Sequence, residues 1–585
     1  MNPQDILQRY FGYASFRPLQ EDIICSVLEG KDTLALMPTG GGKSLCFQVP
    51  TLLWADTPDE GGNDSSREGT LCLVVTPLIA LMKDQVEHLV RRGIRATTIY
   101  TGMSREAQSV ALDNCQYGPY RFLYVSPERL ESEDFRRRLT YLPIRLIAVD
   151  EAHCISQWGY DFRPSYLRIG ELRDLLEQTT GHIPVLALTA TATPEVAEDI
   201  QKQLHFEQPN VLRQSFARDN LQYIVRYCRS DRPSARLDDG EMRTKTEQLQ
   251  HILSRVQGSA IVYVRNRKRA QELSELLHAE YYHAGLDTHE RDRRQKAWQE
   301  SQSVMVCTNA FGMGIDKPDV RLVIHYDLPD SPEAYFQEAG RAGRDGQTAY
   351  AVLLYSPDDR AKLKKRVYDN YPIKEFVEEV YNKTCDFLVV GAGSGYGHGF
   401  TLHIDELCKV MRLPLLPTYS ALHLLDMAGY FVFQEEQETQ PRVKLHVPAR
   451  QLSTYQLSRE QRQLITHLMR SYPGVFTDLQ YLHDEITEPV HQTLVSLAKR
   501  HILTYIPCTR ACYLAFRRDR ETEIHIPAAY YEERLERFTH RLRAMHEYAE
   551  QQTMCRQQYL LSYFGENAVS TCGHCDVCRC LARSL

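Results

Sequence analysis

Three things are scarce in this 585-residue chain: positive charge in excess, long apolar runs, and a basic leader. Lys and Arg number 69 against 76 Asp and Glu, so the formal net charge is -7. That balance does not advertise a polyanion partner, but it excludes none, because phosphate contact depends on local basic patches rather than on the total. No stretch approaches the roughly 20 consecutive apolar residues that a membrane-spanning helix requires, so no membrane partner is expected. The N-terminal MNPQDILQRY has no basic region followed by an apolar run, so no secretory leader is expected and the reading is a cytoplasmic protein. Tryptophan is also rare, with three in the whole chain.

Cysteine is plentiful at 16 residues. Most stand singly in apolar segments, as Cys46, Cys72 and Cys307 do, and read as reduced core residues. The tail differs. Cys555 is followed by Cys572-x-x-Cys575-x-x-Cys578, with Cys580 two residues beyond. Four thiolates from a helix and a tight knuckle suit a closed tetrahedral Zn²⁺ site, with an iron–sulfur cluster as the alternative.

Length alone implies several domains, at about 150 residues each. From residue 33 to 190, short apolar runs (TLALM, LCLVVT, RFLYVS, RLIAVD, VLALTA) alternate with helical patterns, and the alternation restarts with QYIVRY, SAIVYV, SVMVCT, RLVIHY and AYAVLLY. Continuous apolar strands of this kind belong to parallel sheets covered on both faces. The expected fold class is α/β: two doubly wound, RecA-like lobes at 1–207 and 208–358. TPDEGGNDSSREG (57–69) reads as a surface loop, and GAGSGYGHG (391–399) as a flexible linker closing a helical connector over 359–400. Helix, helix and two short strands then repeat, predicting winged-helix-like α+β units at 401–455 and 456–528, with a helical bundle as the alternative. A long helix from about 530 to 563 leads into the cysteine module, 529–585.

The chemistry concentrates in three places. MPTGGGKS (37–44) lies between a strand and a helix, where consecutive glycines let backbone N–H groups converge on phosphates. Thr39, Gly40, Gly41 and Gly42 would form the cradle for ATP; Lys43 would reach the β/γ-phosphates and Ser44 would ligate Mg²⁺. Met37 stands where the general pattern has its first glycine. Asp150 and Glu151 end an apolar run, placing them at the carboxyl end of a strand, where Asp150 suits Mg²⁺ and Glu151 suits a water-activating role. QEAGRAGRDG (337–346) supplies Arg341 and Arg344, planar cations suited to charge on a transferring phosphoryl group, but no phosphate loop of its own. An ATP site split between two lobes converts nucleotide binding into lobe movement, which is the logic of a motor.

The series FGYASFRPLQ, PTGGGKS, TPLIALMKDQ, SPERL, DEAH, CISQWGYDFRPSY, LTATAT, YHAGLD, NAFGMGIDKPDV and QEAGRAGRDG, over residues 10–355, resembles the RecQ family of superfamily 2 DNA helicases. MCRQQYLLSYFGE followed by CGHCDVC is similar to the zinc module of that family. The resemblance implies that Arg17 and Gln20 grip adenine, and that Gly314 and Asp316 face the inter-lobe cleft. It also implies that Thr189, Thr191 and Thr193 link nucleotide state to lobe movement. The segment 157–164, with Trp158, Tyr160 and Phe162 interleaved with Arg163, matches the aromatic-rich loop that couples DNA contact to hydrolysis, and Lys83, Arg129, Asn266 and Arg267 would hold the DNA backbone. The implied function is 3′-to-5′ unwinding of tailed, forked or branched DNA in repair and recombination, in a bacterial, nucleoid-associated setting with a single-strand-binding protein as a partner. An RNA helicase, or an ATP-switched DNA-tethering or annealing protein, is the alternative. One departure stands out: in the usual family order the zinc module follows the second lobe directly, whereas here about two hundred residues intervene.

Overall fold

The computed structural model describes the chain except for residues 39, 58–69, 101, 157, 160, 230–242, 313–316, 439–440, 448–454, 473–474, 477–479, 483–487, 501, 507–509, 568–569 and 585. The loop expected at 57–69 therefore falls almost wholly outside the described residues. Among them, no helix is long and apolar enough to cross a membrane. The chain divides into two units: residues 1–362 together with 537–585, and residues 363–536.

The first unit contains both lobes. In the first lobe, β1 (Thr33–Leu36), β2 (Leu71–Val75), β3 (Ala96–Ile99), β4 (Phe122–Val125), β5 (Ile144–Val149), β6 (Val185–Thr189) and β7 (Val211–Arg213) form one sheet in the order β3-β4-β2-β5-β6-β1-β7, and every pairing is parallel. Successive residues of a strand point to opposite faces, and both faces are covered here. Leu73, Val75, Ile147 and Val149 enter one core, while Cys72, Val74, Leu146 and Ala148 enter the other. That double burial is why these strands read as unbroken apolar runs. The lobe extends past the expected boundary at 207, because Val211–Arg213 pairs with β1.

The second lobe is a six-stranded sheet of β8 (Leu221–Tyr227), β9 (Ser259–Tyr263), β10 (Glu280–Tyr282), β11 (Val304–Cys307), β12 (Val320–His325) and β13 (Ala349–Tyr355), ordered β10-β11-β9-β12-β13-β8 and again wholly parallel. The cysteine module packs on this lobe although it is remote in sequence. Met545, Tyr548, Leu560 and Phe564 share the core that holds Tyr223, Tyr335 and Leu353. The single long helix expected over 530–563 is two helices, Glu532–Glu550 and Arg556–Tyr563, broken where Cys555 caps the second.

The second unit corrects two expectations. Residues 391–399 are not a free linker. Gly393, Gly395 and Gly397 adopt φ of 73°, 119° and 76°, a region that favours glycine. Their backbone is tied down: Gly393 N–H donates to Arg520 O and Gly397 N–H to Phe516 O. A Cβ on Gly395 would lie 2.9 Å from Val390. The glycines serve tight turns and close approach rather than slack.

The expected pair of winged units in series is also replaced. β14 (Gly399–Leu402), β15 (Phe431–Glu438) and β19 (Arg510–Phe516) make one antiparallel sheet; β16 (Arg442–Leu445), β17 (Gln480–Tyr481) and β18 (Leu503–Ile506) make another. RVKLHV (442–447), which falls within the first expected winged unit at 401–455, instead pairs with LTYI of the second. The second unit is thus inserted in the β15–β19 hairpin of the first. The helix Lys374–Phe387, assigned to a connector, contributes Phe376, Val377, Val380 and Tyr381 to the core of the outer unit.

Candidate ATP site, aromatic loop and cysteine centre

Strand order sets the site. β5, β6 and β1 are neighbours in the sheet, so their carboxyl ends bring Asp150, Thr189 and the glycine loop to one edge, where open α/β sheets hold ligands. Met37 N–H donates to Thr189 O at 3.0 Å. Gly40 and Gly42 have φ of 79° and 77°, and the helix Leu45–Asp56 starts directly after Lys43 and Ser44. Gln20, buried, donates to Gly41 O at 3.2 Å and Gly42 O at 2.9 Å, while Arg17 NH1 donates to Gly40 O. These two residues therefore tether the loop, a contact the sequence reading did not include. A cleft open to solvent is lined by Lys43, Ser44, Thr76, Gln85, Tyr124 and Asp150. Thr39, Gly314 and Asp316 lie outside the described residues.

Asp150 accepts from Thr76 Oγ1 at 3.3 Å and from the Glu151 N–H at 3.0 Å. Burial and the neighbouring Glu151 carboxylate push its carboxyl up to about 6, against the pull of Lys43. Burial acts on Glu151 in the same sense, yet Lys43, His153, Arg341 and Arg163 together hold its carboxyl below the ordinary range. Glu151 sits at φ 48°, an uncommon backbone for a residue with a Cβ. His153, its pKa lowered by burial, places Nδ1 2.9 Å from Thr189 Oγ1, so the DEAH and LTATAT segments touch.

The second lobe reaches this edge. A Cβ on Gly40 would lie 3.4 Å from the Arg344 Cδ and Cγ atoms, placing that side chain over the glycine loop. Arg341 is buried, donates to Gly312 O, and is near enough to Glu151 for its charge to act there. The structure thus brings together Lys43, Asp150, Glu151, Arg341 and Arg344 from both halves of the sequence.

In the aromatic segment Trp158 is 46% exposed and Phe162 half-buried. Trp158 N–H donates to Ser156 Oγ, which itself donates to Asp199 at 2.6 Å. Arg163 pairs with Asp161 at 3.3 Å. Each of the four residues expected on the DNA backbone has a local partner. Lys83 is exposed over the Tyr100 ring, whereas Arg129 donates to Gln108 at 2.7 Å and lies over Phe135. Asn266 caps the helix Arg267–Leu277, accepting from Arg269 N–H at 2.7 Å, and Arg267 lies against Gly285.

In the tail, the Sγ atoms of Cys555, Cys572, Cys575 and Cys578 all lie within 4.8 Å of one another. Backbone N–H groups of Cys572, Cys575 and Cys578 point at the sulfurs of Cys555, Cys572 and Cys575 at 3.3–3.4 Å. Hydrogen bonds from Cys572 and Cys575 hold the Cys555 thiol far below its usual range. A cysteine tetrad with N–H···S support fits Zn²⁺, which binds such residues as thiolates. Cys580 is exposed and outside the tetrad. Between the ligands, Asp576 accepts from Val225 N–H of β8 at 3.1 Å and from both Nε and NH2 of buried Arg556 at 3.0 and 3.1 Å. The sequence reading passed over Asp576, since one acidic residue in a knuckle carries no signal of its partner.

Two parallel-sheet lobes closing on a glycine loop, a DEAH segment and paired arginines define a nucleotide-driven, two-lobed motor of the helicase class. Residues 17–200 match the DEAD/DEAH box helicase family, 244–346 the helicase conserved C-terminal domain, and 519–579 the RecQ zinc-binding domain. The probable ATP-dependent DNA helicase RecS of Bacillus subtilis is 41% identical over 368 residues, covering 61% of this chain and 67% of that one. The ATP-dependent DNA helicase RecQ of Pasteurella multocida is also 41% identical, over 62% of this chain and 53% of its own length. A structure of the DUF1998 helicase MrfA bound to DNA shares the fold, with a TM-score of 0.51 at 16% identity, covering 73% of this chain and 57% of that one. The chain belongs to the RecQ family of ATP-dependent DNA helicases, and its cofactors are ATP with Mg²⁺ and Zn²⁺.

Proposed function

We propose that this protein hydrolyses ATP to move 3′-to-5′ along one DNA strand and unwind tailed, forked or branched duplexes during repair and recombination. Its setting would be the bacterial cytoplasm at the nucleoid, alongside a single-strand-binding protein. The observation that supports the reading best is the approach of Arg344 to the glycine loop across the lobes. Lys43 would hold the β/γ-phosphates, Ser44 and Asp150 the Mg²⁺, and Glu151 the attacking water. Bound Mg²⁺ supplies charge neutralisation at the phosphates. Arg341 and Arg344 would meet the charge on the transferring group, so the lobes close on ATP and part after hydrolysis. Gln20 and Arg17 would present adenine-recognising atoms while tethering the loop. Trp158, Phe162 and Arg163 would stack on and pair with unpaired DNA, joined by Lys83, Arg129, Asn266 and Arg267 along its backbone. The polarity rests on the family.

Lys43→Ala is expected to abolish ATP turnover and unwinding while circular dichroism and zinc content stay at wild-type values. Turnover near wild type would overturn the site assignment. Duplexes with 3′ and 5′ tails, and single-stranded DNA compared with RNA of matched length as ATPase activators, test polarity and track.

A further inference from the structure

The side chain of Trp158 does not stand alone. The Arg537 guanidinium lies 3.7 Å from the centre of its indole ring, and Arg541 NH1 donates to the Trp158 carbonyl at 3.1 Å. Both arginines are on the helix Glu532–Glu550, one turn apart and so on one face. The contact links segments 379 residues apart in sequence, and it is not isolated. A Cβ on Gly565, just beyond the next helix, would meet Pro194 of the first lobe at 2.5 Å, and Arg213 NH1 donates to Phe564 O at 3.1 Å. The zinc-bearing module therefore rests on the first lobe at several points, one of which is the aromatic loop. Trp158 nevertheless remains 46% exposed, so a cation occupies part of the ring while much of its surface faces solvent.

We infer that Arg537 is a positioning residue for DNA-coupled ATP hydrolysis: it holds the Trp158 indole so that the ring's exposed surface receives an unpaired base, while Arg541 fixes the loop backbone beneath. This inference rests on the helicase reading above. A guanidinium over an indole face is attracted by the ring's negative quadrupole, and its planarity is what a lysine lacks. Ordering the ring in advance lowers the entropy that DNA binding must otherwise overcome. Because Ser156, which accepts the Trp158 N–H, bonds Asp199, and the DEAH histidine His153, whose ring meets Thr189, precedes Trp158 by five residues, a base seated on Trp158 is close along the chain to the ATP site.

The test uses the 585-residue, zinc-loaded protein with Trp54→Phe as background; Trp298 is fully buried, so acrylamide quenching then reads Trp158. Arg537→Ala is expected to raise the quenching constant without DNA. It should also raise the oligo(dT) concentration giving half-maximal ATPase stimulation by roughly five-fold, with DNA-free turnover and zinc content unchanged. Arg537→Lys should fall between, and Arg541→Ala should shift the same two readouts. Unchanged quenching and half-stimulation in Arg537→Ala would overturn the inference, as would a rise in DNA-free turnover, which would make the contact a brake. If oligo(dT) fails to stimulate the parent protein, the helicase reading fails, and with it the inference.

Discussion

Gly42 shows how much a single residue carries at the ATP site. Its φ of 77° suits glycine, and a Cβ there would collide with Nε2 of Gln20, the atom that donates to the carbonyls of Gly41 and Gly42. Alanine would therefore impose backbone strain of about 1–3 kcal/mol and push Gln20 off the loop it tethers. Gly42→Ala is expected to lower kcat/KM for ATP by roughly ten-fold or more, mostly through KM, in a steady-state ATPase titration. A wild-type KM would mean that the loop reaches its working shape without the left-handed turn. Gln20→Ala should lose loop order without the strain, and so give the smaller defect. The tether was not legible in the sequence, where Gln20 is one polar residue in an amphipathic helix. The loop itself was legible, because successive glycines between a strand and a helix have few other uses.

At the scale of elements, what could be read depended on burial. The long parallel strands stood out because both sheet faces are covered, leaving continuous apolar runs, whereas β3, β7 and β10 are short or carry half-exposed residues and left no such trace. Strand partners were not legible. RVKLHV looks like the return of a hairpin, and only pairing across some sixty residues assigns it to LTYI. The glycine-rich 391–399 segment misled for a related reason: composition reports freedom in the unfolded chain, not the turns and backbone contacts that remove it. The nested topology carries its own consequence. Glu438 and Arg510 are cross-strand partners at the open end of β15–β19, so the inserted unit leaves and returns at adjacent points. Replacing residues 439–509 by a two-residue Asn-Gly turn should close the hairpin and leave the outer unit folded. Such a variant is expected to be soluble, with wild-type zinc content and DNA-free ATPase and a cooperative melt by circular dichroism. Loss of the outer unit's helices would show that the inner unit is needed for its fold.

Across the molecule, the cysteine module acts as a brace whose remoteness in sequence hides its place in space. Phe564 forms an aromatic cluster with Phe216 between the lobes and Phe336 of the second lobe, at centroid separations of 5.5 and 5.2 Å, and Glu566 accepts the Phe216 N–H at 3.0 Å. Tyr227 OH donates to Ala549 O at 2.8 Å, and Tyr355 OH to Glu550 at 2.6 Å. Metal binding and docking meet at Asp576, which sits between two zinc-ligand positions but spends its oxygens on β8 and Arg556. The two functions can therefore be separated. Cys575→Ser should lose zinc and the module's packing together. Asp576→Ala leaves four thiols in place yet strips buried Arg556 of its carboxylate, a loss of about 3–5 kcal/mol for a buried ion pair broken on one side. It is expected to keep zinc near one equivalent by metal analysis, to melt several degrees below wild type, and to gain a protease-sensitive site before Cys555. If Asp576→Ala instead melts with the wild type, the aromatic cluster alone holds the module to the lobes. If it loses zinc, docking and the metal site form as a single cooperative element.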